Sequence, residues 1–191
     1  MSGPTAAVFY GVYSLWFVSE VIGAWTIPRL RKRGPTLVRR DRGSGALIFL
    51  SIFVAISVVF AFGYSGLAGL PDWAFYLGVF LILMGVLVRQ WAIVVLGRFF
   101  SLTVQVAQDH HVVDKGPYRF VRHPSYTGAL MTLVGLGLAV QSWGAVLVLV
   151  VMFGLAYGYR IRVEERALAS QLGPDYVSYM KRTKRLIPFI V

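Results

Sequence analysis

The sequence predicts an all-α integral membrane protein with five transmembrane helices and a helical C-terminal tail on the cytoplasmic side, and three observations carry that prediction. The first is composition: the 191 residues are 57% hydrophobic and only 14% charged, with a mean hydropathy of +0.68, far from the balance of a water-soluble domain. The second is the length of the uncharged runs. The third is where the basic residues fall.

In chain order, residues 5–27 contain a single charged residue, Glu20, and form the first expected span. Residues 46–69 carry no charge and exceed the roughly 20 residues a helix needs to cross the hydrocarbon core. Residues 73–97 are interrupted only by Arg89. Residues 124–159 are again uncharged, but at about 1.5 Å per residue they would reach roughly 54 Å, too long for one crossing. Gln141, Ser142, Trp143 and Gly144 offer a turn there, so the run divides into spans at 124–140 and 144–160. Residues 161–191 are the tail, and the chain reads as one membrane-embedded domain.

The nineteen Lys and Arg residues fall in three clusters, at 29–42, 89–122 and 160–185. A five-span chain places every one on the same side, whereas four or six spans would scatter them. Lys and Arg are retained in cytoplasmic loops, so the N-terminus is expected outside and the C-terminus in the cytoplasm, and the membrane is the plasma membrane if the source is a prokaryote. The net charge of +11 is then one face of a membrane protein against lipid headgroups, densest in RLRKR at 29–33, and not a nucleic-acid footprint. The first run lacks a basic leader and is too long for a cleavable signal, so it is expected to stay as a span. The absence of cysteine excludes disulfides, thiolate nucleophiles and cysteine metal sites.

Any chemistry therefore has to use the inner face. FFSLTVQVAQ at 99–108 alternates apolar and polar residues, as an extended or interfacial segment does. Residues 114–117 read as a turn, and Pro124 suits the first turn of the fourth span, which puts His123 at a helix N-terminus where amides and a partial positive charge favour an anion. Residues 160–182 have helical character with Leu168, Leu172, Tyr176 and Tyr179 on one stripe, broken by Gly173-Pro174 into two short helices.

Taken singly, each polar residue has an ordinary explanation. His123-Pro124 punctuates a helix start, and Glu164 can pair with Arg160 one turn earlier. Adjacent His110 and His111 point to different faces, and no carboxylate cluster completes a metal site around them. Glu20 and Arg89 lie toward the inner leaflet, where they pair, line a pocket or snorkel.

The joint pattern is more specific. GPYRFVRHPSYTG at 116–128, an apolar hairpin, Glu164-Glu165 and then GPDYVSYMKRTKRLIPFI at 173–190 resemble the isoprenylcysteine carboxyl methyltransferase family over about the last ninety residues, in the form of a compact prokaryotic member. Phospholipid N-methyltransferases share the signature more loosely, and membrane sterol and steroid reductases are distant relatives, so the fold does not fix the substrate. The resemblance implies S-adenosyl-L-methionine as cofactor, no metal, and methylation of the carboxylate of a prenylated cysteine or similar lipophilic substrate among the membrane lipids. It implies a cofactor site between the turn before the fourth span and the tail. His123, Pro124, Ser125 and Tyr126 match its His-Pro-x-Tyr segment, and Tyr118 matches a tyrosine five residues before the histidine. Val112 and Val113, with His111 beside them, fall in the stretch that lines the adenosine, and Gln105 is a looser match. Glu164 matches a glutamate that faces the cofactor, with Glu165 the alternative one position on, and Arg160 matches an arginine on the substrate side. Arg160 and Glu164 are thus the implied catalytic pair.

A carboxylate acceptor is already ionised at neutral pH and needs orientation, not a base. Phosphatidylethanolamine, the acceptor of the alternative reading, carries an amine that must first lose a proton. A non-catalytic membrane scaffold would bind no such cofactor, and a reductase would bind a nicotinamide.

Overall fold

The computed structural model describes residues 4–23, 36–39, 43–66, 69–101, 105–107 and 111–188. The RLRKR run, His110, the end of the expected first span and the side chain of Gln105 lie outside the described residues.

Among the described residues six α-helices follow one another: α1 Pro4–Val21, α2 Ser44–Ser65, α3 Trp73–Leu96, α4 Pro124–Ala139, α5 Trp143–Leu172 and α6 Pro174–Arg182. Among the described residues, the segments Ser44–Ser65, Trp73–Phe99 and Trp143–Leu172 are long and apolar enough to cross a membrane. Phe53, Tyr64, Tyr76, Leu87 and Leu155 point outward from this bundle, a large apolar surface that suits lipid and not water. The interior is closed by Val59, Ile82, Leu136 and Leu149, which are almost wholly buried.

The purely α reading needs one amendment. Strands β1 (Thr36–Arg39) and β2 (Gln105–Ala107) pair antiparallel, so the alternating segment at 99–108 supplies one side of a short ribbon. The ribbon joins the loop after α1 to the loop after α3. At the opposite end of the bundle the two turns meet: Leu70 N–H donates to Gln141 O at 2.7 Å, and Gln141 Nε2 donates to Asp72 at 3.1 Å. The ribbon thus lies at one end of the bundle and the nearly uncharged turns at the other.

A second difference concerns the tail. α5 does not stop near residue 160 but runs unbroken for 30 residues, because RIRVEERALASQL has neither Gly nor Pro and is rich in strong helix formers. Its apolar part ends at Tyr159, and the charged part projects beyond. Gly173, with φ 58°, ends the helix in a backbone conformation that costs glycine nothing, and Pro174 opens α6.

Packing of α3 on α4 sets the position of the site. A Cβ on Gly128 would lie 2.6 Å from Gly85 O, and one on Gly135 2.7 Å from Gly78 O. The two backbones therefore touch along a glycine seam, and overpacking there costs about 1–3 kcal/mol. The same Cβ on Gly128 would meet Arg89 N at 2.7 Å, so the seam brings Arg89 beside the first turn of α4.

Candidate functional site

At the ribbon end of the bundle, α3, α4, α5, α6 and the 3-10 turn Gly116–Arg119 enclose a recess of about 800 Å³, counting its open mouth. Its wall from α4 carries His123, Ser125 and Tyr126, and its wall from α5 carries Glu164, Leu168 and Leu172. His111, Val112, Val113 and Tyr118 close one side, and Tyr176 and Tyr179 of α6 fold back over another.

Tyr126 is the centre of the polar geometry. Its hydroxyl donates to Glu164 Oε2 at 2.7 Å and accepts from Arg160 Nε at 3.2 Å. Its ring stacks on His123, with centroids 5.3 Å apart and planes within 7°, and meets Tyr157 edge-on at 5.1 Å. Arg160 is only 3% exposed and also donates to Ser44 Oγ at 3.1 Å and Ser101 O at 3.4 Å. It therefore sits behind the Tyr126 hydroxyl and does not line the recess.

Glu164 and Glu165 face different ways, since successive helix residues turn by about 100°. Glu164 lines the recess. Glu165 is 5% exposed and accepts from Arg122 Nε at 2.9 Å and from Arg185 Nε and Nη2 at 3.1 Å each. Arg122 Nη1 further donates to Met180 O at 2.9 Å and to Thr183 O. The chain after α6 is held as a strap along this cluster: Arg122 N–H donates to Lys184 O at 2.7 Å, His123 N–H to Arg185 O at 3.0 Å, and Thr127 Oγ1 to Leu186 O at 2.6 Å. The strap meets amides just before α4 that the helix itself cannot satisfy. His123 Nε2 lies 3.5 Å from Glu165 Oε1, buried and without a hydrogen bond.

Burial raises the Glu165 carboxyl, but the His123 imidazole 3.5 Å away and hydrogen bonds from Arg185 and Arg122 outweigh it and hold the group at about 2. A carboxyl below its unfolded value of about 4.3 stabilises the fold fully above that pH, and the contribution disappears as pH falls toward 2. The unfolding temperature of the detergent-purified protein is expected to drop between pH 4.5 and pH 2 by more than that of Glu165→Gln; equal drops would separate Glu165 from acid stability. Burial also raises Tyr118 and Tyr176, with Glu164 adding to both, and raises Tyr179 to about 12. All three phenols stay neutral donors. Tyr179 donates to Tyr118 O at 2.7 Å and Tyr118 to Ala92 O at 3.4 Å, which links α6 through the 3-10 turn to α3.

Of the residues singled out from sequence, His111, Val112, Val113, Tyr118, His123, Ser125, Tyr126 and Glu164 share the recess wall. Pro124 is buried in the first turn of α4, and Glu165 and Arg160 stand behind the wall. Sequence reasoning left out Leu96, Phe99, Phe100, Ser101 and Arg122. It also took Leu168, Leu172, Tyr176 and Tyr179 as a packing stripe, although all four line the recess. Their regular spacing was the available signal. The start of α4 offers less to an anion than a bare helix end, because the Tyr126 and Thr127 amides donate to His123 O at 2.9 and 3.0 Å.

Fold and recess together define a helix bundle with an apolar outer surface and an aromatic, acid-walled pocket at one end. Residues 77–170 match the model of the isoprenylcysteine carboxyl methyltransferase family. Protein-S-isoprenylcysteine O-methyltransferase B of Arabidopsis thaliana is 30% identical over 120 residues, 62% of this chain and 61% of that protein. The cobalt-zinc-cadmium resistance protein CzcN of Cupriavidus metallidurans is 36% identical over 93 residues, 48% of this chain and 43% of that protein. The solved eukaryotic intramembrane Ras methyltransferase, an isoprenylcysteine carboxyl methyltransferase, shares the fold with a TM-score of 0.70 over 100% of this chain and 69% of that one, at 21% identity. The chain thus resembles the isoprenylcysteine carboxyl methyltransferase family over nearly half of its length and shares the fold of the solved intramembrane enzyme. It spans 61% of the length of the Arabidopsis relative.

Proposed function

We propose that the protein transfers a methyl group from S-adenosyl-L-methionine to the carboxylate of an isoprenylcysteine-type lipophilic acceptor at the cytoplasmic face of the membrane, acting as one membrane-embedded domain. The observation that carries this reading is the recess itself, where Glu164 stands among aromatic rings at one end of an apolar bundle.

The wall chemistry suits this cofactor. Glu164 accepts only one of its bonds from Tyr126 through Oε2, and a carboxylate so placed can meet an ammonium. Tyr118, Tyr176 and Tyr179 offer ring faces and edges to a purine. When bound, S-adenosyl-L-methionine supplies an electrophilic methyl group on a sulfonium. The chain's own residues orient and desolvate. Tyr126 fixes Glu164, His123 packs flat on Tyr126, and the strap holds His123. Arg160 can exchange its neutral partners, Ser44 Oγ and Ser101 O, for a stronger charge-assisted bond to the acceptor carboxylate. In this reading the N-terminus lies outside, the five helices α1 to α5 span the bilayer, and the strap is cytoplasmic.

Calorimetric titration of the detergent-purified chain with S-adenosyl-L-methionine, followed by transfer of a labelled methyl group to a prenylcysteine analogue, tests the reading. Micromolar binding with carboxyl methylation is the expected result. Binding with transfer only to phosphatidylethanolamine would reassign the acceptor, and well-folded protein that binds nothing would overturn the methyltransferase reading.

A further inference from the structure

Glu20 lies in α1, outside the segment 77–170 that matches the family model, and the recess does not include it. It nevertheless reaches the recess through one intermediary. Glu20 Oε1 pairs with Arg89 Nε of α3 at 2.5 Å, and Arg89 Nη1 donates to Ser125 O at 3.0 Å. Ser125 is on the recess wall, in the first turn of α4. Next to the pair, Gln90 Nε2 donates to Ser19 O at 2.8 Å, so α1 is fastened to α3 at this level by two adjacent contacts. The glycine seam holds Arg89 against α4, and the guanidinium cannot retreat: its side chain is 9% exposed, and that of Glu20 is 22% exposed.

Such an arrangement poses an electrostatic problem. A buried guanidinium under the start of α4 adds positive charge where a helix N-terminus already contributes some. The ligand proposed for the recess is itself a cation, with a sulfonium, an ammonium and one carboxylate. An uncompensated Arg89 would oppose it, in a setting where charges are poorly screened.

We propose that Glu20 is the counter-ion of the recess: it neutralises Arg89 so that Arg89 can brace Ser125 without repelling a cationic cofactor. Glu20 is a positioning residue, and its role rests on the S-adenosyl-L-methionine reading above. The charge of the pair and the brace on Ser125 are separable. Removing Glu20 leaves the brace and adds a positive charge; removing Arg89 loses the brace and adds a negative one.

The test compares S-adenosyl-L-methionine with S-adenosylhomocysteine, which has a neutral thioether in place of the sulfonium, by calorimetry on the full-length detergent-purified chain. Glu20→Gln is expected to lower affinity for the sulfonium ligand relative to the thioether by about tenfold, the order expected of one unit charge in a partly buried site. Arg89→Gln moves that ratio the other way. The double variant returns it to the wild-type value while both ligands bind more weakly, and Glu20→Asp, which keeps the charge, leaves the ratio unchanged. Equal losses for both ligands in Glu20→Gln, or no loss, would overturn the proposal and make the pair a purely structural fastening. Should Glu20→Gln fail to fold, Arg89→Gln decides through the same ratio. A wild-type protein that binds neither ligand would instead remove the methyltransferase reading, and this proposal with it.

Discussion

Replacing Glu164 with Gln is expected to weaken S-adenosyl-L-methionine and S-adenosylhomocysteine alike by about 10–100-fold, the range that loss of one charge-assisted hydrogen bond of about 1.5–3 kcal/mol gives. Both ligands carry the ammonium that Glu164 would meet, so both lose affinity, whereas the effect expected at Glu20 falls mainly on the sulfonium ligand. Calorimetry measures this directly. Glu164 lines the recess with Oε2 engaged by Tyr126, and Gln preserves size and an acceptor there while removing the charge. Wild-type affinity in the Gln variant would take the carboxylate out of cofactor binding.

Loss of Arg160 is expected to affect the reaction more than the binding. Arg160→Ala should reduce single-turnover methyl transfer to a prenylcysteine analogue by about 10²–10³-fold, the usual cost of removing one donor that orients or stabilises charge in an active site. Cofactor affinity should fall much less, because Arg160 stands behind the recess wall, where it donates to the Tyr126 hydroxyl and to Ser101 O. Arg160→Lys keeps the charge but loses the planar fork, and should recover only a fraction of the rate. An Arg160→Ala protein with full transfer would sink the assignment. One whose transfer and cofactor affinity fall in parallel would instead make Arg160 a support for Tyr126 and Glu164 alone.

These two residues also show where the sequence stopped being informative. Arg160 and Glu164 are one turn apart, and spacing suggests that they pair directly. In the structure the hydroxyl of Tyr126, from a different helix, stands between them. Local spacing cannot reveal an intervening group from a remote segment. Arg122 sits within the GPYRFVRHPSYTG motif, yet its partners Glu165, Met180 and Thr183 come from later segments, and nothing in the motif announces them.

By itself the sequence determined the membrane class, because apolar runs and basic clusters are one-dimensional properties that the bilayer reads directly. It also marked the end of the molecule where the recess lies, since the His-Pro start of α4, Glu164 and the Tyr176 and Tyr179 stripe, all beside basic segments, line it. Tertiary structure alone decided which carboxylate turns to the recess, because a step of about 100° on α5 has no meaning until α4 and α6 fix its rotation. It alone joined Glu20 to Arg89 and Arg89 to Ser125, because pairing across three helices depends on how closely a glycine seam lets their backbones approach.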